Sequence, residues 1–252
     1  MPSNDDTRPT AFVTGAAGGI GTSVARRLAR DGFRLAIGDR DSAALTRLAD
    51  SLREAAPDAE LLAVPVDGSS ERSVEEFAGA ALGRFGPPDV LISLVGIQGR
   101  TAPLWELEPE EWRELFEINV NSVHLLCRAI LPPMIQAGRG TVILMSSQRG
   151  KDGVAGLSHY AGSKGAIIAM GRSLAKELAP AGLAVHTVTP GPIAAGMGAG
   201  APSPEIVAKL NIPMGRFGTA DEVAELVSIL ASGRISFSTG YTWDMSGGKA
   251  VS

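Results

Sequence analysis

Seven short runs, apolar at nearly every position, recur along the chain at Ala11–Thr14, Phe33–Ile37, Leu61–Val66, Val90–Val95, Thr141–Met145, Leu183–Val188 and Gly240–Trp243. A strand with one wet face alternates apolar and polar residues, so runs apolar throughout read as strands covered on both faces. Between the first six runs lie amphipathic stretches long enough for crossover helices, near residues 20–30, 42–55, 71–84, 109–135 and 158–179. Repeated strand, helix, strand gives a parallel sheet with right-handed crossovers. The expected fold is α/β, a Rossmann-type doubly wound parallel sheet of about seven strands with helices on both faces. No linker, repeat or low-complexity block divides the 252 residues, so one domain is expected. Residues 8–191 form its core and residues 214–252 a C-terminal helix and last strand. The Gly-, Ala- and Pro-rich stretch from Pro190 to Pro213 reads either as a plain loop or as a lid. Its place after the sixth strand favours a substrate lid over residues 192–213, because ligands bind at the carboxyl ends of strands in such sheets.

Charge and composition narrow the partners. With 23 basic and 27 acidic side chains the net charge is −4, which gives no broad basic field for nucleic acid or an anionic membrane. No run of 18 apolar residues is present and the first ten residues lack the pattern of a secretory leader. The single cysteine, Cys127, forms no internal disulfide and fits a reducing compartment, so a cytoplasmic protein is expected. His124, His159 and His186 have no metal-ligand spacing, and no metal site is expected. His159 reads as a capping or surface residue, and Trp105 and Trp112 as packing residues flanking a helix start.

The first strand runs directly into Gly15-Ala-Ala-Gly18-Gly19-Ile20-Gly21 and then an amphipathic helix. Glycines there permit a tight turn and bring backbone N–H groups to a pyrophosphate at a helix N-terminus. Asp39 follows the second strand 18 residues after Gly21, the distance at which a carboxylate meets the adenosine ribose hydroxyls. A 2′-phosphate would be repelled there, which favours NAD over NADP, although the adjacent Arg40 could shield a phosphate. Asp67, beside Gly68, either meets the adenine amino group or caps the helix starting near Ser70.

At the other end of the site, Tyr160 and Lys164 are four residues apart and share one helix face. A phenol is a poor base at neutral pH, and a nearby ammonium favours the phenolate. Such a tyrosine can exchange a proton with a substrate oxygen while hydride moves to or from a nicotinamide. Ser146 and Ser147 emerge from the fifth strand at the same edge, and either hydroxyl could hold the substrate oxygen.

Thr14-Gly15-x-x-x-Gly19-x-Gly21, Asn119, Ser147, Tyr160-x-x-x-Lys164 and Pro190-Gly191, in this order and at these intervals, resemble the short-chain dehydrogenase/reductase family over nearly the whole chain. The resemblance implies an NAD(P)-dependent oxidoreductase that interconverts a secondary alcohol and a ketone. Asn119, Ser147, Tyr160 and Lys164 would be its catalytic residues, with Ser147 rather than Ser146 as the serine. Lys164 would also bond the nicotinamide ribose, and Asn119 would hold a relay water. Gly15, Gly19, Ile20, Gly21, Asp39, Arg40, Asp67, Gly68, Ser93, Gly96, Tyr160, Lys164, Pro190, Gly191 and Ile193 would contact the cofactor, with Ile193 beside the carboxamide.

Two departures stand out. Ser93-Leu94-Val95-Gly96 replaces the family's Asn-Asn-Ala-Gly, and Ala195 replaces a threonine near the cofactor. An NADP-dependent 3-oxoacyl-carrier-protein reductase is the nearest alternative, and a non-catalytic nucleotide-binding regulator the alternative of another class. The substrate is a small alcohol or ketone whose wall residues fall in 98–100, 148–152 and 192–213. Arg100, Arg149 and Lys151 read either as an anion-binding set or as solvated charges. By the same resemblance a homotetramer is expected, assembled through the helices near 109–135 and 158–179.

Overall fold

The computed structural model describes residues 8–195 and 203–250. Seven parallel strands form one sheet: β1 (Thr10–Thr14), β2 (Arg34–Asp39), β3 (Leu61–Pro65), β4 (Val90–Ser93), β5 (Gly140–Met145), β6 (Leu183–Pro190) and, at one edge, the strand Tyr241–Met245. Helices α1 (Gly19–Arg30), α2 (Ser42–Ala55), α3 (Glu71–Phe85), α4 (Pro109–Phe116), α5 (Ser122–Ala137), α6 (Arg149–Asp152) and α7 (Ser158–Leu178) alternate with the first six strands. After β6 come the two-residue strand β7 (Ile193–Ala194), α8 (Pro204–Leu210), β8 (Gly218–Thr219), α9 (Ala220–Ala231) and the edge strand, β9. Strand order is β3-β2-β1-β4-β5-β6-β9, and β7 pairs with β8 in a separate small ribbon. The doubly wound sheet of the sequence reading is therefore present, with the chain reversing its direction of growth between β1 and β4.

The unbroken apolar runs have a direct cause. Successive side chains along a strand point to opposite faces, and here both faces carry helices. Val13, Ile37, Ile92, Ile143 and Val188 pack with Val24 and Leu28 of α1, Leu48 of α2 and Val227 of α9. Their neighbours Phe12, Ala36, Leu91, Val142 and Leu144 pack on the other face with Phe77 of α3, Ile130 of α5 and Ile167 of α7. Cys127 belongs to this second core, and burial pushes its thiol up to about 12. Phe77 is fully buried, and truncating such a side chain to alanine costs about 3–5 kcal/mol.

The predicted stretch 109–135 is two helices joined by a wider π-helical turn, Glu117–Asn121, which no periodicity in the sequence announces. The tiny β7–β8 ribbon was also unforeseen. Within the 192–213 segment, residues 196–202 lie outside the described residues. Among the described residues no helix is long and apolar enough to cross a membrane.

Candidate active site

Register places every strand end of interest on one edge of the sheet. Thr14 lies opposite both Gly38 and Ser93, Ser93 opposite Leu144, Met145 opposite Val188, and Pro190 opposite Met245. The glycine turn, Asp39, residues 93–96, Ser147 and Pro190-Gly191 therefore emerge side by side, as parallel strands require.

The glycine turn is shaped by close approach. Gly15 has φ +72°, and a Cβ there would stand 2.9 Å from the Leu94 carbonyl carbon, while one on Gly21 would run into the Gly15 carbonyl oxygen. Helix α1 then begins after its N-cap, Gly18, with no side-chain cap and no acidic residue in its first turn. By contrast, α2 and α3 are capped by the Asp41 and Ser70 side chains. An uncapped helix end has free N–H donors and a positive dipole end, which suits an anion. Beside it opens a crevice of about 300 Å³ lined by Gly15, Asp39, Arg40, Asp67, Gly68 and Gly96. These residues fit a dinucleotide: bare backbone for a pyrophosphate, carboxylate oxygens for ribose hydroxyls.

Asp39 has a second occupation that the sequence does not reveal. Its Oδ2 accepts the Ala17 N–H at 2.9 Å and its Oδ1 the Asp41 N–H at 3.1 Å, so the carboxylate clamps the glycine turn to β2. Lone pairs remain on both oxygens for further donors. Asp67 accepts the Ser69 N–H and hydroxyl at 3.0 and 2.7 Å, which holds it below the usual carboxylate range. Ser70, not Asp67, caps α3. Ile20, in the first turn of α1, is partly buried against the core, and Ser93 is buried at the end of β4. Thr14 Oγ1, at the position opposite Ser93, is buried without a hydrogen-bond partner among the described residues.

A second cleft of about 550 Å³ lies further along the same edge, with Ser147, Arg149, Tyr160, Gly191, Ile193 and Lys249 on its walls. Tyr160, in the first turn of α7, shares the cleft wall with Ser147. Burial pushes the phenol above its ordinary value, while the Ser147 hydroxyl and the positive charge of Arg149 act downward. Lys164, one turn on, is 4% exposed, and burial lowers its ammonium to about 8. Its Nζ donates to the Met145 carbonyl at 3.1 Å. Arg149 is thus a cation that acts on the phenol and that the sequence had not assigned to this task.

Gly96 explains itself through Lys164. A Cβ at Gly96 would lie 2.7 Å from Lys164 Nζ and 3.3 Å from Asn119 Oδ1, so only glycine lets the ammonium lie against this backbone. Asn119, fully buried in the π-helical turn, has Nδ2 donating to the Ile97 carbonyl at 2.9 Å and to Ser163 Oγ at 3.0 Å. Its Oδ1 accepts the Ile97 N–H at 2.8 Å. Both amide hydrogens are therefore used, and Oδ1 alone retains capacity toward Lys164.

The two candidate serines separate cleanly. Ser146 Oγ donates to the Lys164 carbonyl at 2.7 Å, tying β5 to α7. Ser147 Oγ accepts the Arg149 N–H at 3.2 Å and meets the phenol. Pro190 accepts the Gln148 N–H, and Gly191 donates to Met245, fixing the turn that carries Ile193.

Three charges resolve differently. Arg100 forms a fork onto Glu111 at 2.8 and 2.9 Å and reaches the Glu106 carbonyl, and Lys151 turns to Asp244 and the Ala250 carbonyl. Only Arg149 of the three lines the cleft. The sequence reading missed Phe217 and Lys249, which come from after β7 and after β9; no local signal marks them. It also misjudged two aromatic neighbours. His159 is 1% exposed with neither ring nitrogen partnered among the described residues, and burial depresses its pKa. Trp105 is 85% exposed, while Trp112 stacks on Phe116 at 4.6 Å.

A family model described as enoyl-(acyl carrier protein) reductase matches residues 15–250. The 2-dehydro-3-deoxy-L-rhamnonate dehydrogenase (NAD(+)) of Sphingomonas sp. (strain SKA58) is 34% identical over 245 residues, covering 96% of this chain and 95% of that protein. The chain belongs to the short-chain dehydrogenase/reductase family. It is accordingly an oxidoreductase of alcohols and ketones that works with NAD or NADP. The cis-4-hydroxycyclohexanecarboxylate dehydrogenase of Sinomonas cyclohexanicum is 37% identical over 240 residues, covering 94% of this chain and 95% of that one. The solved structure of a 3-ketoacyl-(acyl-carrier-protein) reductase from Brucella melitensis complexed with NADH superposes with a TM-score of 0.88 at 30% identity, covering 99% and 100% of the two chains.

Proposed function

We propose that this short-chain dehydrogenase/reductase interconverts a small polar or anionic secondary alcohol and its ketone with NAD, and that Tyr160 moves the proton. The observation that carries the reading is that Tyr160 and Ser147 share the wall of one cleft, with the Ser147 hydroxyl acting on the phenol, at the sheet edge that also carries the glycine turn. NAD bound along the crevice supplies the hydride acceptor in the oxidation direction. The first turn of α1 holds the pyrophosphate, and Asp39 accepts from the ribose hydroxyls while its charge disfavours a 2′-phosphate. Ser147 donates to the substrate oxygen and orients it toward the phenol. Tyr160 takes the hydroxyl proton as the carbonyl forms and returns it in the reverse direction. Lys164 and Arg149 supply positive charge that favours the phenolate, and Asn119 Oδ1, beside Lys164, would hold the relay water through which the proton leaves toward solvent. Both relatives named above act on compounds whose names carry a carboxylate, which supports the anionic substrate class.

The test is a panel of secondary alcohols and hydroxy acids with NAD and, separately, NADP, read as reduced cofactor. Tyr160→Phe is expected to keep cofactor affinity and lose at least about 1,000-fold in kcat, within the range removed with a general acid–base. Comparable turnover in the two proteins sinks the assignment. Tighter binding of NADP overturns the role given to Asp39 and favours the 3-oxoacyl-carrier-protein reductase reading, for which the exposed Arg40 is the supporting feature. We further propose a cytoplasmic homotetramer assembled through the α4–α5 and α7 helices, supported by family membership. Sedimentation at micromolar concentration tests it, with a monomer as the refuting result.

A further inference from the structure

We propose that Arg149 is the residue that selects the substrate, docking a carboxylate in the cleft so that the enzyme prefers a hydroxy acid to the same alcohol without charge. This rests on the reading of Tyr160 and Ser147 as the groups that hold the carbinol oxygen. The supporting geometry begins with elimination. Of the cations near the site, Arg100 is neutralised by its fork onto Glu111 and Lys151 by Asp244. Lys164 lies beneath the floor, against Met145 and Gly96. Arg149 and Lys249 both line the cleft with no carboxylate inside salt-bridge distance among the described residues, but Lys249 turns its Nζ to the Leu210 carbonyl, which leaves Arg149 as the cation with donors open to the cleft.

Its orientation is fixed rather than free. The Arg149 backbone N–H donates to Ser147 Oγ, so the side chain starts two residues from the proposed substrate-binding hydroxyl. Nη1 donates to Gln98 Oε1 at 2.8 Å, which anchors one corner of the guanidinium. Nε and Nη2 keep donors without an acceptor among the described residues, and two donors on a planar fork match the two oxygens of a carboxylate. Lys249 adds a second positive charge on the same wall while its Nζ donates to the Leu210 carbonyl. Among the described residues the one acidic wall residue is Asp152, which accepts the Gln148 Nε2 donor at 2.5 Å. With about 550 Å³ available, the cleft suits a small molecule whose carboxylate and carbinol are separated by a few bonds.

The experiment compares hydroxy acids with their own methyl esters, with NAD, in the wild type, Arg149→Met, Arg149→Lys and Lys151→Met. The quantity read is the acid-to-ester ratio of kcat/KM, so a general loss of activity cancels. Arg149→Met is expected to lower the ratio about 10- to 100-fold, the size of a lost charged hydrogen-bond pair, with the change in KM. Arg149→Lys, which keeps the charge and loses the fork, is expected to fall between, and it decides the matter if the methionine variant does not fold. Lys151→Met is expected to leave the ratio within about 2-fold of wild type, since that ammonium is held elsewhere. A wild type that prefers esters, or a ratio unmoved by both Arg149 variants, overturns the proposal. Turnover surviving Tyr160→Phe would instead remove the reading beneath it, whatever the ratio.

Discussion

Ser146 and Ser147 are adjacent, buried and chemically identical, yet their partners differ. The Ser146 hydroxyl is spent on the Lys164 backbone carbonyl. Replacing it by alanine leaves that acceptor unpaired, at about 1–3 kcal/mol. Ser146→Ala should therefore lower the unfolding midpoint in urea while kcat stays within a few-fold of wild type. Ser147 meets the phenol instead. Ser147→Ala should cost less stability than Ser146→Ala, since the Arg149 N–H it leaves is only partly buried, and should lose about 100-fold in kcat, comparable to removing one oriented donor from a developing charge. Equal kinetic losses in the two variants would show that the hydroxyls are not separated in this way. Spacing to Tyr160 singled out Ser147 only through a family resemblance; the bare sequence left both open, because which way a hydroxyl turns depends on a helix 18 residues downstream. Arg149 was ambiguous for the same kind of reason. Its solvation depends on Gln98, which is 51 residues away along the chain.

The π-helical turn between α4 and α5 is the element that most directly builds the site from backbone. An extra residue in one turn widens the helix and re-aims side chains, and such turns gather at functional positions. Here it directs the Asn119 amide back onto the Ile97 backbone, joining the segment after β4 to α7 through Ser163. Removing the amide leaves two partly buried backbone groups without their partner, so Asn119→Ala should cost about 2–4 kcal/mol, below the full penalty for two buried unsatisfied groups. Hydrogen exchange should then rise at Ile97 and its neighbours, while the far helices α2 and α3 keep their protection. Protection unchanged at Ile97 would deny Asn119 its clamping duty. The crossover helices α1, α2, α3 and α7 were readable to within a residue or two because apolar spacing and caps announce them, as Asp41 does for α2 and Ser70 for α3, whereas the short α6 and α8 were not. The π turn was not, since nothing in its sequence, Glu-Ile-Asn-Val-Asn, distinguishes a π turn from the α-helices on either side. The β7–β8 ribbon escaped too, because two-residue strands leave no periodicity to read.

At the scale of the molecule, the sheet was legible because its strands are covered on both faces, while the burial of Lys164 was not, since only the assembled sheet puts Met145 and Gly96 around it. That burial ties the site to global stability. The ammonium titrates at about 8 in the folded protein and at the ordinary 10.5 when unfolded. Between these values the unfolded chain binds more protons, so stability rises with pH across the window and the penalty for a buried charge is felt in full below about 8. Tyr160 works in the opposite sense, but above 10: its folded phenol keeps its proton longer than the unfolded one, which lowers stability only there. The interval from pH 8 to 10 therefore reports chiefly on Lys164 when the wild type is compared with Lys164→Met, a difference in which the surface groups common to both proteins cancel. Urea unfolding at pH 7.5 and 9.5 should find the wild type gaining stability relative to the variant by an amount on the order of 2 kcal/mol, given 1.4 kcal/mol per pH unit of differential binding. Parallel curves for the two proteins would mean that the ammonium is solvated in the folded enzyme, and the pocket formed by Gly96, Asn119 and Met145 would lose its electrostatic meaning.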